Sequence, residues 1–246
     1  MRIPALNVPA LIIALSCTAA SCVAAGRPAR AQEPPGQGVK VIELFTSQGC
    51  ASCPPAEAVF NTYAGRPGVL PLAFHVKWWD YLGWPDPFAL KVADQRQKSY
   101  ARLWHLRALF TPQVVVQGEK TGVGSTQAQV RHLLAEVRPV PVIVLTRTAD
   151  GLVAHIPALP DAGPAELWLV AYDRRKVTQV GRGENADRRL VNDNVVRWAG
   201  PVAEVARTPA AIAMPDTMVD GHDDAAVLLQ SPHMGPLLGA GYIRLR

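Results

Sequence analysis

Val39-Lys40-Val41-Ile42-Glu43-Leu44-Phe45 is dominated by β-branched, apolar and aromatic residues, and this pattern predicts a strand. Thr46 to Gly49 turn the chain. Pro54 and Pro55, followed by Ala56-Glu57-Ala58-Val59-Phe60, predict a helix starting at or just after Cys53, because first-turn N–H groups have no acceptor for proline to deprive. Val69 to Val76 is a near-continuous apolar run and predicts a strand buried on both faces. Lys77 to Pro87 is aromatic and rich in turn residues. Phe88 to Phe110 is largely helical in pattern, and Val114-Val115-Val116 is a short strand. Gly118 to Gly124 make a tight connection. Ser125 is the expected cap of a helix with Val130, Leu133, Leu134 and Val137 at helical spacing, which Pro139 and Pro141 end.

The pattern then changes. Val142 to Arg147 and Leu152 to Ile156 flank the hairpin signal Ala149-Asp150-Gly151. Ala165 to Tyr172, Val195 to Trp198, Val202 to Ala206, Ala226 to Leu229 and Gly241 to Leu245 are further short strands. Asp173-Arg174-Arg175-Lys176 reads as a solvated turn between strands. The expected organisation is a leader over residues 1–31, a flexible lead-in over 32–38, an α/β domain over 39–138 and a β-rich region over 139–246. Periodicity leaves open whether the last part folds alone or extends the first sheet.

Composition matters mainly through the first thirty residues. Arg2 precedes an apolar stretch centred on Leu11, Ile12, Ile13 and Leu15, and Ala29-Arg30-Ala31 has the small-x-small form of a cleavage site. The strongly apolar core is about ten residues long, short of the roughly 20 needed to span a bilayer. An exported, cleaved chain is expected, periplasmic or secreted, with no stable transmembrane segment; lipidation at Cys17 or Cys22 is the minor alternative. Without residues 1–31, which carry Arg2, Arg27 and Arg30 and no carboxylate, the 25 basic side chains fall to 22 against 20 acidic ones, and a net charge of +5 becomes +2. That argues against nucleic acid as a partner. The same cleavage leaves Cys50 and Cys53 alone out of 4 cysteines.

Cys50-Ala51-Ser52-Cys53, between a predicted strand and a predicted helix, has the spacing of a redox dithiol. Backbone N–H groups and aligned peptide dipoles at a helix start stabilise a thiolate, and a second thiol one turn on can resolve a mixed disulfide. Cys50 is expected as the exposed nucleophile, Cys53 as the resolving cysteine and Glu43 as a carboxylate accepting a proton from it. The competing readings are a structural disulfide and a thiolate metal site that His75 would join. Neither a metal nor another cofactor is expected: zinc wants four ligands, no second Cys-x-x-Cys exists, and Pro54 stands where haem attachment needs histidine.

With these strings in hand the chain resembles the DUF1223 family, exported bacterial proteins placed with the thioredoxin-like folds and without an established activity. The resemblance rests on VIELFTSQGCASCPPAE (41–57), LAFHVKWWDYLGWPDPFA (72–89), TPQVVVQG (111–118), GRGENADRRLVNDNVVRWAG (181–200) and AVLLQ (226–230). It implies a thioredoxin-like α/β fold with an inserted helical segment and a β-rich C-terminal region. It further implies a cis bond at Pro112 facing the dithiol, with Thr111 bonding an extended substrate. Trp78 and Trp79 would roof the site or pack an inserted helix, with His75 and Asp80 adjacent; Lys77 stands where the family's usual string has aspartate. Arg182, Asn185, Asp187, Arg188, Asn192 and Asn194 read as a solvated loop, with a ligand or partner loop as the alternative. The resulting expectation is an exported thiol–disulfide oxidoreductase-like protein acting on protein or peptide thiols, with a redox partner protein. The alternatives are a non-catalytic binding module with a structural disulfide and a periplasmic metal-handling protein.

Overall fold

The computed structural model describes residues 38–158, 163–206 and 209–246. The leader, nearly all of the lead-in, and Cys17 and Cys22 lie outside the described residues. Strand β1 (Lys40–Thr46) leads through the Cys50–Cys53 turn into helix α1 (Cys53–Asn61) and then strand β2 (Val69–His75), which lies parallel to β1. Helix α2 (Lys91–Leu103) follows the aromatic loop. Strand β3 (Gln113–Val116) then pairs antiparallel with β1, and β4 (Lys120–Gly122) pairs with β3. Helix α3 (Gln127–Ala135) starts at Thr126, one residue beyond the expected Ser125. The reason is a reciprocal cap: the Thr126 hydroxyl accepts from the Gln129 N–H, and the Gln129 side chain accepts from the Thr126 N–H.

The second half joins the first in one sheet. Strands β7 (Ala165–Gln179), β8 (Arg189–Val205), β10 (Asp224–Gln230) and β11 (Leu237–Arg244) extend it to eight strands in the order β11-β10-β7-β8-β2-β1-β3-β4. A separate sheet of β5 (Val144–Thr148), β6 (Gly151–Ile156) and β9 (Ala210–Pro215) lies in the order β5-β6-β9. The expected turn at Asp173–Lys176 is instead the interior of β7. Arg175 pairs with Asp193 across the ladder, and the guanidinium and carboxylate meet at 2.7 Å. The two expected strands around Pro201 are one strand, β8, whose register slips opposite Leu167 and Trp168; a bulge there accommodates a residue without an N–H.

Side-chain alternation builds the core. Along β1, Val41 and Phe45 face one side with Leu70, Leu72 and Phe74 of β2, and the same face continues through Val170, Ala226 and Leu228 under α2. Ile42 and Leu44 face the other side, against Ala56 and Phe60 of α1 and Val130 and Leu133 of α3. Farther along, Leu167, Leu169, Val227 and Leu229 are covered by Leu145, Leu152 and Ala154 of the small sheet. The hairpin at Ala149 and Asp150 forms with Thr148 opposite Gly151. Gly151 has a φ of +140°, and a Cβ there would sit 2.2 Å from the Met214 carbonyl oxygen, so a side chain is excluded on two counts.

Candidate functional site

Cys50 and Cys53 form a disulfide at the N-terminal end of α1, with their Cα atoms 5.4 Å apart. The turn is closed by two backbone bonds, from the Cys50 N–H to the Ser47 carbonyl and from the Cys53 N–H to the Cys50 carbonyl. Pro54 and Pro55 occupy the first turn of α1, so two of the N–H groups a helix start normally offers are missing. The helix dipole remains, and the Ser52 hydroxyl lies 3.5 Å from the Cys50 sulfur.

Cys50 is 1% exposed and Cys53 0%, so the expected exposed nucleophile is a buried one. Ala51 and Ser52 are exposed at the tip of the turn, and the sulfurs point inward beneath a cover. The cover has a specific construction. The Asn185 amide donates to both the Gln48 and Cys50 carbonyls at 2.9 Å, and the Glu184 carboxylate accepts the Ala51 N–H at 3.2 Å. On the other side, Trp79 lies against Gly49, where an added Cβ would meet it at 3.4 Å. The Trp79 indole N–H donates to the Thr111 hydroxyl at 2.6 Å, and the Ser52 hydroxyl donates to the Thr111 carbonyl at 3.3 Å. The Thr111–Pro112 peptide is cis, as the resemblance implies.

Within the aromatic block Trp78 and Trp79 stack on each other, ring centres 4.7 Å apart, and both pack against the main core. Trp79 also lies over the dithiol turn, and Trp78 donates to Gln97 at 2.9 Å. Trp84 donates to the Gln48 side chain at 3.1 Å and packs against Gly181 and Gly183. Of the cluster expected as a solvated loop, Arg182, Asp187 and Arg188 are exposed, whereas Asn185, Asn192 and Asn194 are buried. Asn185 is fully buried, and Arg188 donates to its side-chain oxygen at 2.8 Å.

Glu43 does not reach the cysteines. It faces the α2 side of the sheet with Val41 and Phe45, opposite α1, and its carboxylate is held by the Arg96 guanidinium and the Tyr100 hydroxyl. The carboxyl on the cysteine side is Glu57, one helical turn after Cys53 on the same buried face of α1. It accepts from Thr46 at 2.6 Å, and burial pushes its pKa up. His75 and Asp86 complete this buried cluster. Burial by itself lowers the His75 pKa, but the Asp86 carboxylate at 2.7 Å from its Nδ1 reverses the direction and raises it. Burial by itself raises the Asp86 pKa, and the adjacent His75, together with the Gln48 and Phe88 N–H groups, brings it below the usual value. The Nε2 atom of His75 has no hydrogen-bond partner. Asp80 stands farther out and accepts the Asp86 N–H at 3.1 Å, so it orients the loop that carries Asp86. Among the described residues no group of three or more His, Cys, Asp or Glu side chains is arranged to hold a metal ion.

Sequence reasoning passed over Glu57, although its spacing of four from Cys53 in a helix was the available signal. It carries a pH dependence. The folded pKa lies above the usual glutamate value of 4.5, so the stability tied to the neutral carboxyl is present below that value and lost as pH rises through the folded pKa. Glu57→Gln keeps an acceptor for Thr46 and never ionises. In urea unfolding across mildly acid to neutral pH, its stability relative to the parent is expected to rise with pH; a difference independent of pH refutes the assignment.

The fold and site define a mixed α/β protein with a large central sheet, few helices, and a roofed Cys-x-x-Cys disulfide between its first strand and first helix. The chain belongs to the DUF1223 family, described as a protein of unknown function, whose family model matches residues 41–230. Among solved structures it is similar to protein AGR_C_4864 from Agrobacterium tumefaciens, with 26% identity and a TM-score of 0.74 over 88% of this chain and 97% of that one. It shares its fold with HBP35 of Porphyromonas gingivalis, at 15% identity and a TM-score of 0.60 over 85% of this chain and 76% of that one. No curated protein matches the chain.

Proposed function

We propose that the protein is an exported thiol–disulfide exchange protein of thioredoxin-like fold, whose Cys50–Cys53 centre works on protein or peptide thiols once its cover opens. The observation that carries this reading is the buried Glu57 carboxyl one turn behind Cys53. A disulfide serving only as a staple needs no titratable group behind it, and burying one costs stability. The βαβ unit β1-α1-β2, continued by the antiparallel pair β3 and β4 and closed by α3, supports the thioredoxin-like assignment. The leader pattern supports export to a compartment where disulfides persist.

In the forward direction a substrate thiolate attacks the Cys50 sulfur and the Cys50–Cys53 bond breaks. The departing Cys53 thiolate takes a proton from the Glu57 carboxylic acid. A second substrate thiol, deprotonated by solvent, attacks the mixed disulfide and releases the Cys50 thiolate. Two substrate thiols become one disulfide, and the protein holds the dithiol. His75 lies near enough to Glu57 for each charge to bias the other, and its unpartnered Nε2 is a place to lodge a proton without breaking a hydrogen bond. Reoxidation by a redox partner protein closes the cycle.

The burial of both sulfurs favours one second reading, a binding module with a structural disulfide. The reduction potential of the Cys50–Cys53 couple separates the two. An exchange centre is expected between about −120 and −270 mV, and a value below about −300 mV assigns the bond to structure. Cys53→Ala should accumulate mixed disulfides through Cys50 when mixed with a peptide disulfide, whereas Cys50→Ala should not. Equal adduct formation by the two variants overturns the assigned roles.

A further inference from the structure

We infer that the protein recruits its thiol substrates through an acidic, leucine-bearing peptide segment, bound in a basic groove at the end of α2; this rests on the exchange function proposed above. A cavity of about 570 Å³ opens between the last turns of α2 and the segment after it. Its cations are Lys98, Arg102 and Arg107, and His105 and the aliphatic side chains of Leu106 and Leu109 share the lining. Arg102 donates to the Ser99 hydroxyl, and none of the four basic residues forms an ion pair with a carboxylate among the described residues. Other exposed arginines, such as Arg66, Arg131 and Arg189, also form no ion pair among the described residues; what sets this groove apart is that its lining groups such side chains around one depression with no carboxylate among them.

Position gives the groove its meaning. Its wall ends at Leu109, two residues before Thr111, whose carbonyl takes the Ser52 hydroxyl and whose hydroxyl takes the Trp79 indole. The groove and the dithiol cover are thus joined by the short segment from Leu109 to Thr111. The ligand that matches this lining is an extended segment with carboxylates toward the cations and apolar side chains toward the leucines. Unpaired cations at a rim act mainly on encounter and on the choice of partner. They give a protein of small net charge a local attraction for acidic chains.

The test uses three short fluorescein-labelled peptides with a central cysteine and flanking leucines, differing only in carrying glutamate, glutamine or lysine. Binding is read by anisotropy with the cysteine replaced by serine, and exchange by the rate at which the cysteine form reduces the protein's disulfide. The glutamate peptide is expected to bind about tenfold tighter than the lysine peptide and to lose that advantage at high salt. The combined variant K98E, R102E, R107E should reverse the order while leaving the circular dichroism unchanged, since all three side chains are exposed. Equal binding of the three peptides, an unchanged order in the variant, or tighter binding to anionic phospholipid vesicles than to the glutamate peptide overturns the inference. Selective binding without any exchange removes the exchange function and leaves the groove as an acidic-peptide site.

Discussion

Arg96→Ala is expected to lower the free energy of unfolding by about 3–5 kcal/mol, the cost of removing one partner from a buried ion pair. Arg96 is 1% exposed and gives two guanidinium nitrogens to the Glu43 carboxylate. It also donates to the Tyr100 hydroxyl at 3.2 Å and points a third nitrogen at the Met234 sulfur at 3.7 Å. Its guanidinium carbon stands 4.9 Å from the centre of the Trp168 ring, a cation–π contact. One side chain thus joins α2 to β1, to β7 and to the turn before β11. Removing it leaves Glu43 buried with its cation gone and the two halves of the sheet short of one polar tie. Replacing both partners at once, Arg96→Met with Glu43→Gln, is expected to recover much of the loss, because no uncompensated charge remains. Urea unfolding monitored by tryptophan fluorescence checks both; a loss under about 1 kcal/mol for Arg96→Ala would place the pair among the screened surface bridges.

Arg96 also marks what could and could not be read from the residues. β1, α1 and β2 were legible because a β-rich apolar run, a proline-led helix start and a doubly buried strand each have a local cause in the sequence. The cysteine pair was legible for the same reason, since its spacing sits in one turn. Arg96 was not, because arginine is so commonly a surface residue that a polar helical stretch such as Asp94-Gln95-Arg96-Gln97 reads as a solvated face. Glu43 was placed near the cysteines by proximity in sequence. Alternation decides otherwise: Glu43 and the α1-facing residues Ile42 and Leu44 lie on opposite sides of the pleat. Asp173 to Lys176 looked like a turn because four charged residues in a row rarely make a strand. They do so here because the carboxylates of Asp173 and Asp193 compensate Lys176 and Arg175 along and across the ladder. The contact of residues 180–188 with the cysteine turn spans about 135 positions of chain, and no local pattern announces such a meeting.

That distant contact decides how the disulfide becomes available. Asn185→Ala is expected to speed reduction of the Cys50–Cys53 bond by a small thiol by one to two orders of magnitude. The wild-type amide satisfies two buried carbonyls, of Gln48 and Cys50, and the loss of both bonds makes the closed cover less favourable by about 2–3 kcal/mol. Each 1.4 kcal/mol is tenfold in an equilibrium, so the open fraction rises by roughly that many powers of ten. Glu184→Gln, altering an exposed acceptor, should change the rate by only a few fold. Dithiothreitol kinetics at increasing, sub-denaturing urea distinguish the route. A local opening exposes little surface, so the rate should be nearly flat in urea, whereas reduction through global unfolding rises steeply. A rate unchanged in Asn185→Ala, with the fold intact, would mean that the cover is no barrier and that the sulfurs are reached from another side. A fast, urea-independent rate in the variant together with a slow one in the parent makes the segment around Asn185 the gate of the dithiol. The exchange reading then needs a partner that displaces this amide from the Gln48 and Cys50 carbonyls before any sulfur is attacked.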